Sequence, residues 1–276
     1  MNQTLSNAAW QLKCSFILAI IALTFSVFLP PVAAEENLQE KNGWKFHAAP
    51  YLWAISMEGD VTVSGHKSDV DMSFSDIWKE LNIAGMVNFE GSKGKWGFFG
   101  DVIYSHLGKD TKVHGIKIDP SIKMLMLVAG GSYQLGKWRP SGDVGKDRPT
   151  VTFYGLLGGR YTYLDTHLDI KGFQNVSENE GWLDPLIGAR TVFDLSERWE
   201  LGLEGKIGGF GVGSDFTWDA YGDIGYRFSL FSKENNARVV AGYRALYQDY
   251  SSGSGDNKFE WDITLYGPVI GLVIEF

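Results

Sequence analysis

The chain has 276 residues, 44% of them hydrophobic and 14% aromatic, with 34 glycines, a single cysteine and a formal net charge of −8. A mean hydropathy of −0.11 is too polar for a bundle of membrane helices, each of which needs about 20 consecutive apolar residues. The acidic balance argues against a nucleic-acid partner, which demands a basic stripe; the length suits one large domain or two small ones.

The first 34 residues stand apart. One charge, Lys13, precedes the apolar run FILAIIALTFSVFL, which ends at Pro30 and Pro31, and the small residues of PPVAA come before the acidic stretch EENLQEKNG. A short positive region, an apolar core and small residues at the cut mark a secretory signal peptide, with cleavage after Ala34. The two prolines stop the run short of the length an uncleaved anchor requires. The only cysteine, Cys14, lies inside this segment. The mature chain therefore has no thiol, which rules out disulfides, thiolate metal sites and cysteine nucleophiles. Loss of Lys13 leaves 24 basic against 33 acidic side chains, a mature net charge of −9.

After a short periplasmic segment, residues 35–43, the dominant period is two. In WELGLEGKIG, Trp199, Leu201, Leu203, Gly205 and Ile207 fall on one side, and Glu200, Gly202, Glu204 and Lys206 on the other. That is a strand with one apolar and one charged face. The same pattern predicts ten strands, near 44–55, 83–92, 95–107, 120–135, 150–165, 183–195, 198–211, 215–230, 237–250 and 258–276. The connections alternate in length. GSKGK, LSERW and FSKENN are short, and GKWRPSGDVGKDRP, though longer, falls on the same side; residues 56–82, 108–119 and 166–182, the glycine-rich GFGVGSD and YSSGSGDN lie on the other. Short periplasmic turns and longer external loops are the pattern of bacterial outer-membrane barrels, and an even strand number puts both ends of the barrel on the periplasmic side. The expected fold is one all-β domain over residues 44–276, a ten-stranded antiparallel up-and-down transmembrane β-barrel.

Three apolar sets place aromatics near strand ends with glycines and aliphatics between: Trp96, Phe98, Val102 and Tyr104; Val151, Phe153, Leu157, Tyr161 and Tyr163; Phe216, Trp218, Ile224, Tyr226 and Phe228. A lipid-facing band with aromatic girdles has this form. The opposite faces carry Glu90, Asp101, Asp194, Glu200, Glu204, Asp219 and Asp223 against Arg160, Arg190, Lys206, Arg227, Arg238 and Arg244. Barrels of about eight strands are filled by their own side chains, and wide aqueous pores appear only near about sixteen. Charges taken out of water must pair or stay hydrated, so the near balance predicts a crosslinked interior network and a plugged or narrow lumen. Taken over residues 56–82, 108–119, 165–181, 211–217 and 249–262, the external connections carry a net charge of −10, and the periplasmic ones carry +4. An acidic outer rim attracts cations, and hard divalent ions favour carboxylate oxygens, although a solvated polar rim accounts for the same charges.

No motif predicts a cofactor, a metal site or a catalytic residue. His47, His66, His106, His114 and His167 lack the paired spacing of zinc ligands. GGFGVGS has no helix after it, as a phosphate cradle requires, and SGSGDN reads as a hairpin loop. Asp69 and Asp71 in DVD, with Asp165 and His167 in LDTHLD, resemble the Asp-x-Asp and Asp-x-His pairs of the omptins, ten-stranded outer-membrane proteases in which a histidine and carboxylates activate water. That likeness covers only the two pairs.

A wider resemblance is carried by PYLWAISMEGDVTV, DVDMSFSDIWKELN and GKWGFFGDVIY. These stretches resemble a family of proteobacterial outer-membrane β-barrel proteins, small barrels of the OmpA- and OmpW-like kind in the broad sense. The resemblance implies a barrel among outer-membrane lipid and lipopolysaccharide, with no established activity and so no catalytic residue to carry over. Within the second stretch, SFSDIWKEL reads as a capped helical turn started by Ser75 or Asp76, with Ile77, Trp78 and Leu81 on its apolar side. A short helix is expected in the first external loop, folded over the barrel mouth.

The chain ends GPVIGLVIEF, with Ile270, Leu272 and Ile274 alternating up to a terminal aromatic, Phe276. In the likeness to outer-membrane barrels this looks like the signal read by the barrel-assembly machinery. Earlier in the same strand Phe259, Trp261, Ile263 and Leu265 hold the odd positions. Two apolar sets of opposite parity predict a bulge or bend at Gly267 and Pro268. The function expected is that of a non-enzymatic integral outer-membrane protein, structural or concerned with small solutes. A narrow porin-like channel, an omptin-like surface protease or lipid-modifying enzyme, and a loop-mediated adhesin are the alternatives.

Overall fold

The computed structural model describes residues 43–108, 111–113, 116–139, 149–170, 176–230 and 233–276. The expected signal peptide, its cut at Ala34 and residues 35–42 lie outside them. Thirteen strands follow one another among the described residues: β1 (Lys45–Trp53), β2 (Ser56–Val63), β3 (His66–Met72), β4 (Leu81–Lys93), β5 (Trp96–Gly108), β6 (Thr111–Val113), β7 (Ile116–Trp138), β8 (Thr150–Ile170), β9 (Val176–Asp194), β10 (Trp199–Gly209), β11 (Phe216–Leu230), β12 (Lys233–Ser252) and β13 (Phe259–Glu275). One helix, α1 (Phe74–Glu80), stands between β3 and β4. Ten strands, β1, β4, β5 and β7–β13, pair antiparallel in chain order, and β1 closes on β13. The result is a ten-stranded barrel whose strands coincide with the ten stretches of period two. β6 folds back on β7.

The outward face is apolar where the barrel must sit in lipid. Trp96, Phe98, Leu157, Tyr161, Trp199, Leu203 and Ile270 are all exposed, and a continuous apolar belt of this extent is not stable against water. Along β8 the outward set runs from Phe153 to Tyr163. Ten residues make about 33 Å of strand, or about 25 Å along the membrane normal at a tilt near 40°, the height of a hydrocarbon band.

Beyond the outer aromatics Tyr104, Tyr163, Tyr247 and Tyr266 the two faces exchange character. The outward positions become His106, Asp165, Asp249, Asp262 and Glu260, while the inward ones become Leu107, Leu164, Leu265, Ile263, Trp261 and Phe259, part of one apolar core. The strands are long enough to do this. β7, β8 and β9 have 23, 21 and 19 residues, about twice the 9–11 that cross a bilayer. The barrel is thus lipid-covered outside and charged inside in its lower half, and polar outside and apolar inside in its outer extension.

This exchange corrects the reading of β13. Its pairing with β12 runs without a register shift from Ala237↔Ile274 to Ser252↔Phe259, straight through Tyr243↔Pro268 and Arg244↔Gly267. There is no bulge at Gly267 and Pro268, because the two apolar sets do not both face lipid. Phe259, Trp261, Ile263 and Leu265 are buried inside, whereas Ile270 and Phe276 are exposed outside. Gly267 answers a different need: a Cβ there would stand 1.9 Å from the Ala54 carbonyl oxygen, and the Ala54 N–H donates to the Pro268 carbonyl at 2.9 Å. The register shifts that do occur lie at Leu81/Ile83, Gln134/Gly136 and Phe228/Leu230.

Residues 56–82, expected as a loop with one helix, also hold strands. β1 and β2 keep a single register against β13, from His47↔Glu275 to Thr62↔Glu260, and so act as one long strand. β4 accompanies only its first half, the last pair being Pro50↔Val87. Above that point β2 takes β3 as its neighbour through the turn Ser64–Gly65, with φ of 49° and 75°; positive φ at both central residues is what a two-residue hairpin loop of the right twist requires. Helix α1 has Ser73 at its N-cap position in place of Ser75 or Asp76. The Ser73 hydroxyl donates to the Asp76 carboxylate at 2.6 Å. Ile77 is buried, Trp78 stays exposed, and Leu81 belongs to β4 instead of the helix.

Candidate functional site

The lower interior is the densest concentration of chemistry in the molecule. Inward positions alternate along each strand, so a charge every second or fourth residue brings groups from many strands to one axis. Three layers result, the second and third joined through Lys206. Nearest the chain ends, Arg227 joins Asp194 and Glu200, and Arg238 also pairs with Glu200; the Thr150 hydroxyl donates to Asp194 at 2.8 Å. In the next layer Arg190 reaches Glu90 at 2.9 Å and Glu204 at 2.6 Å, and Lys206 pairs with Glu204.

The third layer is the most enclosed. Arg244 donates to both oxygens of Asp219, at 3.1 and 2.8 Å, and to Asp101 at 2.9 Å. Tyr51 donates to Asp101 at 2.8 Å. Arg160, fully buried, donates to Thr217 at 2.8 Å and lies 3.4 Å from Asp219, which Lys206 approaches to 3.8 Å from below. One carboxylate, Asp219, thus faces three cations. Above it the Arg244 guanidinium sits 5.0 Å over the Trp53 ring, a contact that favours a cation on a π face. There the apolar core of the outer extension begins.

Of the charged residues expected inside, Glu90, Asp101, Arg160, Arg190, Asp194, Glu204, Lys206, Asp219, Arg227, Arg238 and Arg244 are ion-paired with one another or with Glu200. Asp223 makes no ion pair among the described residues and lies against the backbone of Gly242 and Gly202. Sequence reading missed His47 with Glu275, which approach to 3.4 Å, and Asp184. Asp184 accepts from the Ser214 amide at 2.6 Å and its hydroxyl at 3.0 Å, pinning the glycine-rich loop onto the barrel. Asp184 is in phase with Arg190 and Asp194 on β9, a signal present in the sequence.

The outer rim is different. Register sets Asp249 opposite Asp262, Asp262 opposite Asp60 and Asp60 opposite Asp69, an outward row of acids across four strands. Lys67 offsets it at Asp60, 3.0 Å away. Among the described residues no three acidic or histidine side chains converge as a metal set would. Beyond the outer aromatics, Asp249 is half-buried, and that burial together with Asp262, Asp215 and Glu260 pushes its carboxyl up to about 6. A raised carboxyl destabilises the folded state above its folded pKa, and the penalty vanishes below the unfolded value near about 3.9. Asp249→Asn is therefore expected to stabilise the barrel by about 1 kcal/mol near neutral pH, the full shift being discounted for solvent screening. That gain should fade as pH falls from about 6 to about 4, as read from denaturant midpoints across that range.

The acidic pairs that resemble omptins do not meet. Asp69 and Asp71 lie on β3 and Asp165 on β8, which is paired with β7 and β9 alone. Asp165 faces outward and lies 3.5 Å from Lys123. His114 and the side chain of His167 lie outside the described residues.

No family model and no curated protein matches the chain. Solved structures do match in outline. The attachment invasion locus protein Ail of Yersinia pestis, in complex with the heparin analogue sucrose octasulfate, aligns over 85% of this chain and 99% of its own at 15% identity and a TM-score of 0.36. Neisserial surface protein A aligns over 85% and 99% at 12% identity and 0.34. OmpT, an outer membrane protein of Vibrio cholerae, covers 87% and 100% at 9% identity and 0.24. At such identities no activity, ligand or partner passes from these proteins to this chain.

Proposed function

We propose that the chain is a non-enzymatic barrel of a Gram-negative outer membrane with a closed lumen, structural or serving small solutes without a standing aqueous pore, and assembled through its last strand. The buried layer of Arg244, Arg160, Asp219, Asp101 and Tyr51 carries this reading. It crosses the interior of a barrel too narrow to leave a channel beside packed side chains, and the apolar core lies directly over it. The outward apolar belt supports a place in lipid, and the alternating Ile270, Leu272, Ile274 and Phe276 support recognition by the barrel-assembly machinery. Purified protein inserted in a planar bilayer is expected to give no steady conductance of porin size. Stable steps of that size would overturn the reading.

A further inference from the structure

Among the described residues the barrel wall parts between β1 and β4. β1 leaves β4 at Pro50, and the Trp53 N–H meets the Met86 thioether at 3.2 Å. In lipid a backbone donor is normally taken up by the next strand, and a thioether is a weak acceptor. Helix α1 stands across this split, and beneath it lies a cavity of about 40 Å³. Its lining comes from both faces of the wall: outward Leu52 and Trp78, 39% and 54% exposed, and inward Trp53, Ala84 and Met86, with Ile77 of the helix. Ser105 is the one polar side chain in the lining. Trp53 is buried with its indole N–H unpartnered.

The surface outside the split is apolar where its surroundings are not. One register row runs Ile83, His106, Lys123, Asp165. Its last three members are polar, yet Ile83 is 57% exposed, and Trp78 lies beside the same split. The lipid-facing belt therefore climbs higher here than on β5, β7 or β8, and runs without a break into the cavity.

We propose that the split between β1 and β4 is a lateral binding site for one hydrocarbon chain of an outer-leaflet lipid. The chain enters over Leu52 and Trp78 and lies against Ile77, Ala84 and Met86. Burial from water does not drive it, since lipid tails are already apolar; the gain is in packing, because the walls of an unfilled void lack partner atoms on one side. The proposal rests on the outward face being embedded in lipid, and one experiment separates the two.

The barrel is reconstituted in phosphatidylcholine vesicles whose acyl chains carry a diazirine, irradiated, and its adducts mapped by mass spectrometry. Outward Val87, Val102 and Leu157 report embedding, and their failure to label would defeat that reading and the proposal with it, whereas outward labelling without inward labelling defeats the proposal alone. The expected result is labelling of inward Met86, Ala84 or Ile77 within several-fold of Val87. In Ala84→Trp, whose indole fills the cavity, the inward adducts disappear and the outward ones stay. Adducts confined to outward residues of the wild type overturn the proposal, as does inward labelling undiminished in folded Ala84→Trp. The wild-type map decides by itself if that variant does not fold.

Discussion

Arg244→Ala is expected to cost about 3–5 kcal/mol of stability. Removing the guanidinium leaves Asp101 and part of Asp219 as buried carboxylates without a counter-charge, and breaking a buried pair on one side costs far more than the pair contributes. It also strips the cation from the face of the Trp53 ring. The measurement is the urea midpoint for loss of the folded barrel in phosphatidylcholine vesicles, read by gel mobility without heating. If the penalty is that of stranded charge, Arg244→Met combined with Asp101→Asn should recover much of it, because Asp219 keeps Arg160 and Lys206 as counter-charges and neutral groups of similar volume replace a buried ion pair at little cost. A wild-type midpoint in Arg244→Ala would mean that water already hydrates this layer, and the closed-lumen reading would fall with it.

Phe276→Ala should produce the second large effect, in the cell more than in the test tube. The terminal ring stacks on Phe46 at 6.1 Å, while the backbone of the same residue pairs with Phe46 through bonds of 3.1 and 3.3 Å. The substitution removes the ring and keeps the closing backbone bonds. Refolded protein should lose only about 0.5–1.5 kcal/mol, the worth of an aromatic pair. Assembled barrel recovered from cells should fall several-fold, because the last aromatic is proposed to be read during assembly. Equal cellular yields for the two proteins would remove Phe276 from that role.

Strand positions were legible because lipid on one side and salt bridges on the other force a strict alternation, and Trp199 to Ile207 shows it without interruption. The interior charges were legible for the same reason: Asp219, Asp223 and Arg227 fall in phase on β11. What failed was the assumption that apolar always means outward. Once a strand rises out of the membrane, water takes the outer face and the apolar residues turn in, so β13 carries Ile270 outside and Ile263 inside with no break in its ladder. A change of parity in the sequence therefore marked the water line where a bulge had been expected. The β2–β3 hairpin was hidden by its acids, since Glu58, Asp60, Asp69 and Asp71 read as loop composition. The dipeptide Ser64–Gly65 between Val63 and His66 was the available signal.

A closed barrel has no free strand rim, but β3 provides one. Among the described residues it pairs with β2 alone, leaving a row of backbone groups open to extension by another molecule. Three features work against that. The strand has only seven residues, its outward positions are Lys67, Asp69 and Asp71, and a second copy laid antiparallel against it would bring its own aspartates against these. Short length and like charge are how exposed sheet rims avoid sheet-to-sheet growth. The same acids that disguised the hairpin as a loop thereby keep neighbouring barrels from fusing into a common sheet at a crowded membrane surface.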